Sequence, residues 1–317
     1  MRLHFKKRGD KMEPNQFFYK IRMLYSKHQI ILFIIPALIY YVIFRYKPLY
    51  FVQIAFRDFR ITRPLEKSPW VGFEHFVTLF SSTDFQQALV NTLIISFYKI
   101  LFGFPAPIVL ALMLNALRNA MFKRISQSIL YLPHFISWSV LGGIIYSLLS
   151  VHDGLVNEIV KWFGFEPIYF VGDKAYFRGI LVASEIWKTM GWGTILYLAA
   201  LTRIDVSLYE AARVDGASRS QQLWHITLPG ISTTIVVLFI INIGHLLDVG
   251  FEQIMVMSNP MVTSVADIID TYVFRVGLQE GKHSLATAAG LFKTLVAAVL
   301  VYSADRLAKV IGQRGII

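Results

Sequence analysis

Lys99, Glu185, Lys188 and Lys293 interrupt runs of sequence that are otherwise apolar, and Asp248 stands at the edge of another. Inside a bilayer such groups are costly, so they face a cavity, a partner or water. Lysines facing a cavity would attract carboxylates. Glu185 and Lys188, spaced i, i+3, would instead neutralise each other on one helix face. Trp187 and Trp192 offer flat faces on which sugar rings could stack, or surfaces on which helices pack. Asn242, His245 and Asp248 recur at every third residue, as a substrate path or as a buried polar seam between subunits. His134, beside Pro133, reads as structural, and no group has metal-ligand spacing.

The elements that hold these residues follow from composition. The chain has 317 residues, of which 55% are hydrophobic and only 16% charged, with a mean hydropathy of +0.53. A soluble domain carries roughly 25% charged residues, so much of this surface faces lipid. Cysteine is absent, which excludes disulfides, thiolate metal sites and a cysteine nucleophile. The net charge of +11 does not mark a nucleic-acid binder, because the basic residues flank apolar segments and form no reading module.

The first apolar run, Ile30 to Phe44, follows a basic N-terminus and ends at Arg45-Tyr46-Lys47. No small-residue cleavage site follows it, so it reads as a retained anchor. Five more spans are predicted at 88–115, 125–149, 179–201, 226–248 and 285–303. Long apolar runs without alternation satisfy their backbones in lipid only as helices. The expected fold class is therefore all-α, a polytopic membrane protein of six transmembrane helices. Pro105, Pro107 and Pro133 should bend the spans that contain them. The organisation is an N-terminal segment (1–28), a first helix (29–48), a polar connection (49–87), a five-helix core (88–304) and a tail (305–317).

Basic residues assign the sides. The segments 1–28, 116–124, 202–225 and the tail carry 17 Lys and Arg against 6 acids. The connections 45–87, 150–178 and 249–284 carry 11 against 12. By the positive-inside rule, both termini are cytoplasmic.

The most informative stretch is the cytoplasmic-side connection between the fourth and fifth spans, Ser207-Leu-Tyr-Glu210-Ala211-Ala212-Arg-Val-Asp215-Gly216-Ala217-Ser-Arg-Ser-Gln-Gln-Leu-Trp224-His-Ile226-Thr-Leu228-Pro229. Ser207 with Glu210, and Ser218 with Gln221, have the spacing of capping boxes that start short helices. Gly216 supplies a turn with positive φ, and Pro229 pre-sets the next helical start. A helix–turn–helix presenting Glu210 is predicted. Taken singly, Glu210 is a cap and Gly216 a turn. Together the string resembles the EAA loop of ABC-importer permeases: Glu210-Ala211-Ala212, three residues, Gly216, nine residues, then Ile226-x-Leu228-Pro229, with Asp215 and Ala217 fitting the common D-G-A extension.

That resemblance implies a type I ABC importer permease fold in a bacterial plasma membrane. Spans two to six would form half of a translocation path, coupled through 202–229 to a separate ATPase. It further implies a second permease subunit, as a heterodimer, a pair of ATP-binding subunits and an external solute-binding protein. ATP and Mg would belong to the ATPase partners, with no cofactor bound by this chain. The stretches Phe44-Arg-Tyr-Lys-Pro-Leu-Tyr50, Gln53-Ile-Ala-Phe-Arg-Asp-Phe59 and Ser68-Pro-Trp-Val-Gly-Phe-Glu-His-Phe76 resemble the subgroup that imports polysaccharide-derived oligosaccharides, pectin- and alginate-type acidic glycans among them.

An ion-gradient-driven secondary transporter is the alternative, favoured by the intramembrane charges but showing no inverted repeat. A membrane-embedded enzyme lacks a convergent His/Glu/Asp cluster. The Gly277 to Lys282 stretch lacks the spacing and terminal Ser/Thr of a phosphate loop. The absence of cysteine makes the sidedness directly testable: a cysteine at Ser68 should react with an impermeant maleimide in intact cells, and one at Ser218 only after permeabilisation. The opposite pattern would invert the topology.

Overall fold

The computed structural model describes residues 34–310. Among them every regular element is helical, apart from an isolated antiparallel bridge between Arg57 and Trp70. The expected N-terminal segment, the beginning of the first span and the end of the tail lie outside the described residues. The chain divides into two compact units, Met1–Gln53 and Ile54–Ile317. In the first, helix α1 (34–41) widens into a π turn, Val42–Tyr46, with Tyr40 packed against Phe44.

The second unit begins with α2 (Glu74–Ser81), α3 (Thr83–Tyr98) and α4 (Pro105–Ala116). A π turn, Lys99–Gly103, joins α3 to α4. Pro105 and Pro107 cannot donate to the carbonyls four residues back, and the widened turn just ahead of them absorbs that defect. The result is one apolar helix of 34 residues, Thr83–Ala116, comfortably above the roughly 20 needed to cross hydrocarbon. There follow α5 (Ala120–Tyr131), α6 (Trp138–Leu148), α7 (Leu155–Trp162), α8 (Lys174–Leu201), α9 (Val206–Val214), α10 (Arg219–Gln222), α11 (Leu228–Gly230) and α12 (Ser232–Gly244). Three short helices, α13 (Phe251–Met257), α14 (Thr263–Ala266) and α15 (Ile269–Phe274), precede the long α16 (His283–Val310).

Two expected spans are not straight. The third, read as one helix over 125–149, is α5 and α6 meeting at 106° across the turn Leu132–Phe135. Pro133 removes a backbone donor there, and Ser137 accepts from the Val140 amide to start α6 afresh. The fifth is bent by 59° after Pro229-Gly230. The connection 249–284, expected as a loop, is instead a packed helical layer. Ile254, Met257 and Ile268 are fully or almost fully buried against Ile95, Leu141, Phe177 and Leu181. The seven residues Phe251 to Met257 are too few to span the bilayer.

Within the second unit, the segment 54–87 and the connections 150–178 and 249–284 share one end. Ser284 Oγ donates to the Arg57 carbonyl and accepts from the Phe59 amide. Asn91 donates to the Ser264 and Asp267 carbonyls and accepts from Arg178, and Asn259 donates to the Val171 carbonyl. Asn157, fully buried, donates to the Leu149, Ser150 and Ile168 carbonyls and accepts from the Ile168 amide, closing the 150–178 connection on itself.

The broken span is pressed tightly against α8. A Cβ added at Gly191 would lie 1.9 Å from the Leu130 carbonyl oxygen, a backbone atom that no rotamer change can move. Gly191→Ala should therefore force α5 away from α8 and cost about 3 kcal/mol or more, the upper end for overpacking. Gly179→Ala, with open space around its Cβ, is the control. Thermal unfolding in detergent should separate the two by several degrees; equal midpoints would show that the contact is not tight.

Candidate functional site

A cavity of about 450 Å³ opens between α3–α4, the α5–α6 break, α8 and the end of α12. Lys99, Glu185, Trp192, Asn242, His245 and Asp248 all line it, joined by Ser96, His134, Trp138 and Thr189. Sequence spacing thus found six residues that the fold brings together. Trp187, Lys188 and Lys293 lie outside its lining.

The pairing of charges differs from the one that spacing suggested. Glu185 does not pair with Lys188. It pairs across helices with Lys99, at 3.4 Å, and Lys99 also donates to the Val249 carbonyl at 2.7 Å and to Gln253 Oε1 at 2.8 Å. The three ammonium donors are thereby used. Gln253, fully buried, passes the network on through its amide to the Leu181 carbonyl and Ser184 Oγ. Lys188 spans instead to the carbonyls of His134 and Ile136, which the helix break leaves without partners in α5 or α6, and it lies over the Trp138 ring. Lys293 of α16 bridges Asp248 and Asp270, each at 2.6 Å, and Asp248 also meets His245 Nδ1 at 3.2 Å. All three lysines are engaged by groups of the chain itself.

Two residues escaped sequence inspection, His134 in the cavity wall and Gln253, which holds Lys99 from behind it. His134 is no bystander: its ring stacks on Trp192 at 4.7 Å and 3°. Gln253 was hidden because its helix was read as a loop. Its signal was the apolar residues that flank the pair Glu252-Gln253.

At the other site, α9 and α10 form the predicted helix–turn–helix. Gly216 turns it at φ +76°, and Ser218 and Gln221 close the predicted capping box reciprocally. Pro229 sits in the first turn of α11, as expected. The first cap differs: Asp205, not Ser207, caps α9 by accepting from the Ser207 amide at 2.9 Å. That hydrogen bond holds the Asp205 carboxyl below its ordinary value. The stabilisation is present above the ordinary carboxylate pKa and fades as pH falls through the lowered one. Glu210, Ala211, Asp215 and Gly216 are exposed, Ala212 and Ala217 partly so. Around Glu210, Val206, Leu208, Val214 and Trp224 are all more than half exposed. The loop is tied to the foot of the fifth span: Tyr209 Oη meets the Thr227 hydroxyl at 2.9 Å between Ile226 and Leu228, and Ile204 packs with Leu201 and Ile231.

Residues 103–315 match the model of the binding-protein-dependent transport system inner membrane component. The chain belongs to that family. Members are membrane components of transport systems that depend on a binding protein, which sets aside both the secondary transporter and the membrane enzyme. Among this permease's relatives, Protein LplB of Bacillus subtilis is 45% identical over 90% of each chain. The polygalacturonan/rhamnogalacturonan transport system permease protein YteP of the same organism is 44% identical over 93% of this chain and 92% of its own. A chain of a bacterial alginate ABC transporter, solved in complex with an alginate pentasaccharide-bound periplasmic protein, superposes with a TM-score of 0.85 at 41% identity. The match covers 93% of this permease and 99% of that chain.

The lysine network generates a stability prediction. Lys99→Met strips Glu185 of its counter-charge; breaking a buried pair costs roughly 3–5 kcal/mol. Because the Glu185 side chain keeps 29% exposure, about 2–3 kcal/mol is expected. Adding Glu185→Gln should recover at least half of the lost melting temperature. A single variant as stable as the parent would remove the network from the fold's support.

Proposed function

We propose that this chain is one permease subunit of an ATP-driven importer that carries oligosaccharides, acidic polysaccharide-derived ones included, into the bacterial cytoplasm. The observation that carries this is the exposed helix–turn–helix around Glu210, standing on a chain of this family. The relatives named for polygalacturonan/rhamnogalacturonan and for alginate support the substrate class. The +11 against −1 charge balance between the two sets of connections supports placing the Glu210 loop and both termini in the cytoplasm.

In this reading the path is shared with a second, different permease subunit, and a pair of ATP-binding subunits holds ATP and Mg beneath it. An external binding protein delivers the sugar to the end formed by 54–87, 150–178 and 249–284. The loop offers apolar knobs beside the Glu210 carboxylate, a surface suited to an apolar cleft with a cationic residue. ATP-driven closure moves α9. The Tyr209–Thr227 bond and the Ile204–Ile231 packing carry that displacement to the fifth span, whose far end holds Asn242, His245 and Asp248 in the cavity wall.

Two substitutions test the coupling. Glu210→Lys reverses the exposed anion, and loss of a close interfacial charge pair costs about 2–5 kcal/mol. Gly216→Val meets no atom within 4 Å, so its effect is confined to the left-handed backbone, at roughly 1–2 kcal/mol. Both proteins should insert normally, and co-purification of the ATPase should fall at least tenfold for Glu210→Lys, with hydrolysis uncoupled from transport in Gly216→Val. Parental assembly and transport in both would reduce the loop to a structural turn.

A further inference from the structure

The connection 150–178 carries an apolar surface that neither the cavity nor the Glu210 loop uses. Helix α7 (Leu155–Trp162) has three unlike sides. Asn157, fully buried, and Val156 and Val160, half-buried, meet the rest of the unit. At about 100° per residue, Glu158 and Lys161 share a second side, exposed and paired with each other at 2.8 Å. Leu155, Ile159 and Trp162 share the third. All three are more than half exposed, Trp162 at 83%. The helix stops at Gly164, φ +83°, where the Phe165 amide donates back to the Val160 carbonyl. Just before that stop stands Phe163, also exposed, its ring 5.3 Å from the Trp162 ring. One side for protein, one for water and one for hydrocarbon is the pattern of a helix lying in a membrane interface, where tryptophan gathers. Asn157 sets the depth. Its amide donates to the Leu149 and Ser150 carbonyls at 3.3 and 2.9 Å, at the end of α6, and to the Ile168 carbonyl at 3.0 Å. The helix is thereby tied to the tip of the third span and does not stand off in bulk water.

We propose that α7 is an outer-leaflet anchor, with Leu155, Ile159 and Trp162 seated among the lipid acyl chains and Glu158 and Lys161 facing water. The occupant of the stripe is lipid. It is the acyl boundary and not a charged headgroup, because the stripe itself carries no cation. A third span broken at Pro133 lacks the stiffness of a continuous helix, and the anchor holds its outer half at a fixed depth. The seating stands whatever solute is carried; only the choice of leaflet rests on the charge balance of the connections.

The test uses the whole transporter in nanodiscs of phosphatidylethanolamine and phosphatidylglycerol, its partner subunits freed of cysteine. Single nitroxide labels are placed through Ile159→Cys or Glu158→Cys. Collision rates are read with oxygen, which partitions into lipid, and with a nickel chelate, which stays in water, before and after saturating binding protein. The label at 159 should favour oxygen and the one at 158 the chelate, with no change when binding protein is added. Beside the label at 159, Trp162→Phe should leave the chelate collision rate at its parental value. Trp162→Asp should raise it about threefold or more, by lifting the helix out of the acyl boundary. The proposal is overturned if the label at 159 meets the chelate as freely as the one at 158, or if Trp162→Asp changes nothing. It is equally overturned if the label is shielded from both reagents, the mark of a second subunit, or becomes so with binding protein. Normal sugar uptake by a transporter whose label at 159 is water-exposed would sink the anchor and leave the importer reading standing.

Discussion

Lipid offers no partner to a charge, and that constraint shapes the interior of this permease. Each lysine inside a span finds its acceptors in the protein, and each set of acceptors joins elements distant in sequence. Lys99 ties the second span to the fourth and to α13. Lys293 ties the sixth span to α15 and to the end of the fifth. Lys188 holds the broken third span against the fourth. Hydrophobic burial cannot distinguish one helix register from another when lipid is as apolar as the core. Polar cross-links can, because only one register satisfies them.

The same economy explains where the fold breaks its own rules. A helix interrupted in hydrocarbon exposes carbonyls that cost several kcal/mol each when unsatisfied. The break at Pro133 is sustainable because Lys188 donates to two of those carbonyls and Trp138 lies beneath the ammonium. Pro105 and Pro107 are accommodated differently, by a π turn that keeps the helix continuous and points Lys99 across to α8. The prolines thus position the cavity: one opens a gap in the wall, and the others set the angle of the lysine that closes its side.

The second and sixth spans, within Thr83–Ala116 and His283–Val310, were legible in the sequence because apolar length is a local property. The helix–turn–helix around Glu210 was legible for the same reason, since Gly216, Ser218–Gln221 and Pro229 act within a few residues. The ion pairs were not. Glu185 and Lys188 have ideal i, i+3 spacing, yet each has a stronger obligation elsewhere, Glu185 to a lysine 86 residues away. Spacing reports which side chains are adjacent on one helix, and it is silent about a facing helix. The layer 249–284 was misread as a loop because its helices are too short to span. Its tight burial of Ile254, Met257 and Ile268 shows that brevity in a membrane protein signals a core element as readily as a connection. Asp205 displaced Ser207 as a cap because it lies one turn edge earlier, where the first free amides are.

The geometry of the fifth span bears on how a signal would travel. Its straight part, α12, is 13 residues long, about 20 Å at 1.5 Å per residue. At one end it is bent from the segment that bears Thr227, and at the other it releases Asn242, His245 and Asp248 into the cavity wall. Side-chain shifts alone would be dissipated over that distance, because a packed core is stiff but its rotamers relax locally. A helix moving as a rigid body loses nothing along its length. The bend at Pro229-Gly230 lets the foot turn without unwinding α12, and the Asp248–Lys293–Asp270 bridge makes the far end move with α15 and α16. A displacement passed along this helix would therefore depend less on any residue midway than on the fastenings at its two ends, Tyr209 to Thr227 and Asp248 to Lys293.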